Sequence, residues 1–122
     1  MQTVRIADHE YPLALTVGAA LQMMEKYEDI RAAIAKLQSR DKGDAMSESL
    51  YIAAILMQGG ADHAKLCKGE STTPPTYKDL LCMAFPADLP AIRAAALEAI
   101  VGGLKREIEV EPGKKKETIL RK

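Results

Sequence analysis

At Thr16 the hydrophobic pattern of this chain changes period, and that change constrains the fold more than any other feature. Before it, Val4 and Ile6 alternate with Arg5, and Leu13 and Leu15 alternate with Ala14. Between them lies the polar Asp8-His9-Glu10. Period two on either side of a polar turn predicts a short antiparallel hairpin, with strands over Gln2–Ala7 and Tyr11–Leu15. Pro12 has no N–H to give and suits an edge position. After Thr16, Val17, Ala20, Leu21, Met24 and Tyr27 recur every three or four residues, which predicts a helix capped by Thr16. An isolated hairpin is marginal in water, so its apolar face needs helices to pack on.

The helical rhythm continues to the end of the chain. Ile30, Ala33, Ile34 and Leu37 give a second segment, followed by the polar loop Ser39–Gly43. Asp44 is the expected cap of a third helix running to Gln58, and Gly59-Gly60 the expected left-handed stop. The middle of that helix, LYIAAILM, is apolar on nearly every side, so it lies at the centre of the fold or has a second face covered by a partner. A short helix is expected over Ala61–Lys68, and then a Pro-rich loop. Thr76-Tyr-Lys-Asp79 has the spacing of a capping box. Asp88 is the expected cap of a last helix with Pro90 in its first turn. Its stripe is Ile92, Ala96, Ala99, Ile100, Gly103, Leu104 and Ile108, where Gly102-Gly103 allows close packing or a bend. The expectation is a predominantly helical α+β fold. One domain over residues 1–112 holds the hairpin (2–15) on about five helices (16–110). Residues 113–122 form a mobile basic tail.

Composition agrees. Apolar residues make up 48% of the 122, but aromatics only 4%, so Leu, Ile, Ala and Met must build the core. That mix favours helix. The 17 basic and 17 acidic residues cancel, which gives no overall basic field for nucleic acid. The tail has five basic residues against one acidic, without the interleaved aromatics of a nucleic-acid site. Two cysteines do not make a disulfide framework, and the longest apolar run, Leu50–Met57, is too short to span a bilayer. The chain reads as cytosolic, with no membrane partner.

Candidate chemistry is sparse. His63 and Cys67 stand one helical turn apart, a spacing that can put two metal ligands on one face. No second pair accompanies them, so the plain account is a surface histidine and a partly buried thiol. No phosphate-binding glycine loop is present. Glu25, Glu28 and Asp29 are explained by an exposed helix face. The expectation is no enzyme, no metal and no cofactor. Binding is the remaining class. Met23 lies off the main stripe of its helix and is a surface candidate. Leu50, Ile52, Ile55, Leu56, Met57, Ile92, Ile100 and Leu104 are candidates for partner binding or self-association.

The hairpin RIADHEYPLAL running straight into TVGAALQMMEKYEDI, then modest helices and a charged tail, resembles the tail assembly chaperones of long-tailed, siphovirus-type bacteriophages and prophages. Leu21 to Glu25 matches the Leu/Met-Glu pattern of that family's first helix. The likeness covers the whole chain in layout and residues 4–30 in detail. It implies a non-enzymatic, homo-oligomeric protein of the host bacterial cytoplasm. Such a protein binds the long apolar tape measure protein and keeps it soluble. It also implies a longer product made by ribosomal frameshifting, which recruits the major tail protein; Lys114, Lys115 and Lys116 would be encoded by the slippery stretch. The rivals are a head–tail connector component and a small DNA-binding regulator.

Overall fold

A computed structural model describes residues 2–105. It has a two-stranded antiparallel sheet followed by five helices, an α+β and mostly helical arrangement. Strand β1 (Gln2–Ile6) pairs with β2 (His9–Leu13), with Ile6 opposite His9 and Gln2 opposite Leu13. The turn is tighter than the sequence suggested. Only Ala7 and Asp8 form it, both left-handed at φ 51° and 66°, while His9 and Glu10 belong to β2. Two positive φ values in a two-residue loop match the twist of the flanking strands. Val4, Ile6 and Leu13 share the buried face.

Helix α1 (Val17–Lys26) begins where Thr16 Oγ1 accepts the Ala19 N–H at 3.1 Å, as its spacing predicted. Helix α2 (Ile30–Leu37) is capped by Asp29, whose carboxylate accepts the Ala32 N–H at 2.8 Å. Ala33 and Leu37 fix it to the core.

Helix α3 (Lys42–Lys68) corrects the sequence reading twice. Asp41, not Asp44, caps it, accepting the Asp44 N–H at 2.8 Å. It also runs unbroken through Gly59-Gly60 for 27 residues, joining the two segments expected there, and ends at the left-handed Gly69, φ 72°. The glycine pair has a different task. A Cβ on Gly59 would lie 2.5 Å from the Ala14 carbonyl oxygen, and one on Gly60 would lie 2.5 Å from the Pro12 carbonyl carbon. The chain leaving β2 presses its backbone onto the helix there, and the Ala14 N–H donates to the Leu56 carbonyl at 3.0 Å. Only glycine permits that approach.

Helix α4 (Tyr77–Met83) starts with the expected reciprocal capping box. Asp79 N–H donates to Thr76 Oγ1 at 3.1 Å, and Thr76 N–H to the Asp79 carboxylate at 3.0 Å. A single 3-10 turn (Pro86–Asp88) leads into helix α5 (Leu89–Leu104), with Pro90 in its first turn. Asp88 does not cap α5. Its carboxylate turns back to accept the Phe85 N–H at 2.8 Å, closing the turn instead.

Helix α3 is the axis. It contacts β2 and each of the other four helices, and α5 also packs on β1. Leu50, Ile52, Ala53, Ile55, Leu56 and Met57 are all buried on it. Its all-round apolar character is therefore consumed by the chain's own elements. At the far end of α5, Gly103 sits against Leu15, where a Cβ would come within 2.7 Å of the Leu15 Cβ.

Candidate binding surface

Helix α1 offers two apolar stripes, and the one the fold turns inward shares only Tyr27 with the stripe read from the sequence. Ala19, Met23 and the capping Tyr27 face inward, with Met23 at 0% exposure. Val17, Leu21 and Met24 face solvent, at 77%, 60% and 46% exposure. Of the expected stripe, Val17, Leu21 and Met24 thus form an outward ridge while Tyr27 is buried, and Met23 is corrected from surface candidate to core residue. Close approach explains the rotation. The Gly59 Cα stands so near α1 that a Cβ on it would lie 3.3 Å from the Ala19 Cβ, and only a small side chain such as Ala19 fits that crossing. Once Ala19 faces α3, residues four and eight further on follow it inward.

The same packing decides the other candidates. Leu50, Ile52, Ile55, Leu56, Met57, Ile92 and Ile100 are buried inside the folded chain, and none of them presents a surface. Leu104 alone of the nine is exposed, at 56%. It follows Gly103, which abuts Leu15, two residues before the ridge begins. Lys114, Lys115 and Lys116 lie outside the described residues.

A polar and aromatic brace holds α1 in this orientation. The Tyr27 hydroxyl donates to the Glu48 carboxylate of α3. Lys26 Nζ lies 3.2 Å from the same carboxylate and 4.1 Å from the Tyr51 ring centre. Tyr51 meets Tyr27 and Tyr77 edge-on, at 6.3 and 5.5 Å between ring centres. Tyr77 and Ser47 share a 2.9 Å hydrogen bond. Three helices are tied together at one point. Burial, and then the hydrogen bond to Glu48 with its negative charge, push the Tyr27 phenol far above its ordinary range. Burial would raise Glu48, but hydrogen bonds from Tyr27 and Lys26 outweigh it and hold the carboxyl below its usual value.

Beside the ridge, an open hollow of about 210 Å³ separates α1 from α4, with Gln22 on one wall, Tyr77 on the other and Tyr51 and Gln58 between them. The other large apolar side chains exposed among the described residues are Met46 and Leu66 on α3, Leu81 on α4, Phe85 in the turn after it, and Val101 and Leu104 three residues apart on α5. An outward stripe three side chains long at i, i+4 and i+7 differs from these. Solitary exposed apolar residues are ordinary, whereas an aligned row is a candidate docking face.

His63 and Cys67 do come together, with Nδ1 3.7 Å from Sγ, and Cys67 is exposed rather than partly buried. Cys82 is exposed elsewhere. Among the described residues no group of three or more His, Cys, Asp or Glu side chains could hold a metal. No single helix there is long and apolar enough to cross a membrane, and the one pair that reaches that apolarity together, Tyr77–Met83 with Pro86–Leu104, is bent by 112°.

Comparison with protein-family models, curated proteins and solved structures finds no match to this chain.

Proposed function

We propose that this protein is a tail assembly chaperone of a long-tailed phage or prophage, and that the α1 ridge is where it holds the tape measure protein. The ridge carries the reading. Val17, Leu21 and Met24 spend about two turns of helix on apolar surface that the chain's own core does not use. Such anchors suit an amphipathic helix laid alongside or around them. Methionine at one position adds tolerance to irregular partners, which a client of varied sequence and great length requires. The order of hairpin, first helix and helical remainder supports the same family. In this reading the protein works without catalysis, as many copies in the host cytoplasm, and a longer frameshifted product brings the major tail protein.

The test is a tagged purification from cells in which the parent phage or prophage is induced, with bound proteins identified by mass spectrometry. The proposal expects one very long, helix-rich protein. Mature virion components in its place would favour a connector, and retained DNA without phage protein would favour a regulator.

A further inference from the structure

We propose that the outer edge of β1 is an interface between two copies of this chain, which pair there edge to edge and antiparallel to make one continuous sheet across a twofold axis. The register of the hairpin decides which backbone groups that edge offers. Ile6 and His9 close the tight turn at Ala7 and Asp8, so they exchange both of their backbone hydrogen bonds, and Val4–Tyr11 and Gln2–Leu13 do the same in alternation. The pairs between them, Arg5–Glu10 and Thr3–Pro12, turn their backbone groups away from the hairpin.

On the β2 side this outward edge is closed at Pro12. That residue has no N–H to offer, and its carbonyl is pressed against α3, where its oxygen is the first atom a Cβ on Gly60 would meet. The β1 side is open. Thr3 and Arg5 are exposed, and their outward N–H and C=O groups meet no hydrogen-bond partner among the described residues. An unpaired strand edge is a template for another strand, and a sheet of only two strands gains most from extension.

The edge is complementary to itself. With the twofold at Val4, Thr3 of each copy faces Arg5 of the other, and the outward groups of both residues are satisfied together. The two Val4 side chains then meet on the apolar side of the sheet. Charge selects this register. Sliding one strand by two residues would set Arg5 directly against Arg5, whereas here Arg5 faces Thr3 and keeps Glu10 as its cross-strand neighbour. A helix satisfies its own backbone and cannot add to a strand edge, and among the described residues β1 and β2 are the only strands. The pairing is therefore separate from the α1 ridge and does not depend on what the ridge holds.

The test combines sedimentation of the full chain over a range of concentrations with amide exchange followed by NMR. Thr3→Pro and Arg5→Pro each remove an N–H that the hairpin does not use and set a ring in the path of the incoming strand. Pro12 already occupies such an outward position, so the hairpin tolerates the change, and circular dichroism verifies the fold. The expected result is a reversible dimer that either proline variant abolishes and Leu21→Asp leaves intact. Dimerisation should also slow amide exchange at Thr3 and Arg5, an alternating pattern that decides the matter even where a variant fails to fold. A monomer at every concentration up to about 1 mM overturns the proposal, whether the Thr3 and Arg5 amides exchange freely or are protected by residues 106–122 of the same chain. So does a dimer that survives both proline variants, or one that Leu21→Asp dissolves, which would assign the contact to the α1 ridge.

Discussion

Tyr27 and Glu48 show how much of this molecule depends on a few polar contacts in a core built from aliphatic side chains. A hydrogen bond to a charged group is worth about 1.5 to 3 kcal/mol, so Tyr27→Phe should lower unfolding stability by about that amount in a urea titration. The carboxyl of Glu48 is held below the ordinary glutamate value near 4.5. Its contribution is therefore complete above that value and is lost as pH falls through the lower, folded value. The stability gap between the unsubstituted protein and Glu48→Gln should be full at neutral pH and shrink on acidification. Tyr27 behaves in the opposite sense: its raised pKa stabilises the fold below the ordinary tyrosine value near 10.0 and loses that contribution in strong alkali. At the hairpin tip, Ala7 adopts a left-handed φ of 51°, which costs an alanine roughly 1 to 2 kcal/mol. Ala7→Asn places a residue that accepts this conformation and should gain about 1 kcal/mol in the same titration.

Glycines separate the elements that were legible in the sequence from those that were not. Thr16, the Thr76–Asp79 box and Pro90 act within one turn of helix, and local chemistry alone determines them, so each stands where its spacing placed it. Gly59 and Gly60 have the local signature of a helix stop, but their role comes from Pro12 and Ala14, distant in sequence, pressing on α3. The same long-range crossing turns Ala19 and Met23 inward and leaves Leu21 exposed, which the spacing of α1 alone does not reveal. Asp41 and Asp44 are equally good local caps, and three residues of helix decide between them. A direct comparison tests the close-packing account. Gly60→Ala gains the helix preference of alanine, about 1 kcal/mol. It also forces a Cβ into the Pro12 backbone, and such overpacking costs about 1 to 3 kcal/mol. The net effect should be destabilisation. Gly102→Ala has nothing within 4 Å of the new Cβ and should stabilise by about 1 kcal/mol. Thermal unfolding of the two variants should move in opposite directions.

At the scale of the whole molecule, α3 serves as a buried mast. Its own chain covers it, so the exposed apolar side chains lie at the periphery, and among the described residues α1 carries three of them in a row at Val17, Leu21 and Met24. Core and surface thus make opposite predictions for similar substitutions. Leu50 is 5% exposed, and Leu50→Asp puts a carboxylate among aliphatic side chains, which should leave the protein unfolded by circular dichroism. Leu21→Asp places the same charge in water and should leave the fold intact. The most direct measurement of the central claim is the soluble yield of the parent phage's tape measure protein co-expressed with the unsubstituted chain, with Leu21→Asp, or with Leu81→Asp as an exposed apolar control on α4. The account predicts soluble, co-purifying client with the unsubstituted chain and with Leu81→Asp, and loss of the client to the pellet with a folded Leu21→Asp. Undiminished recovery with Leu21→Asp would contradict it.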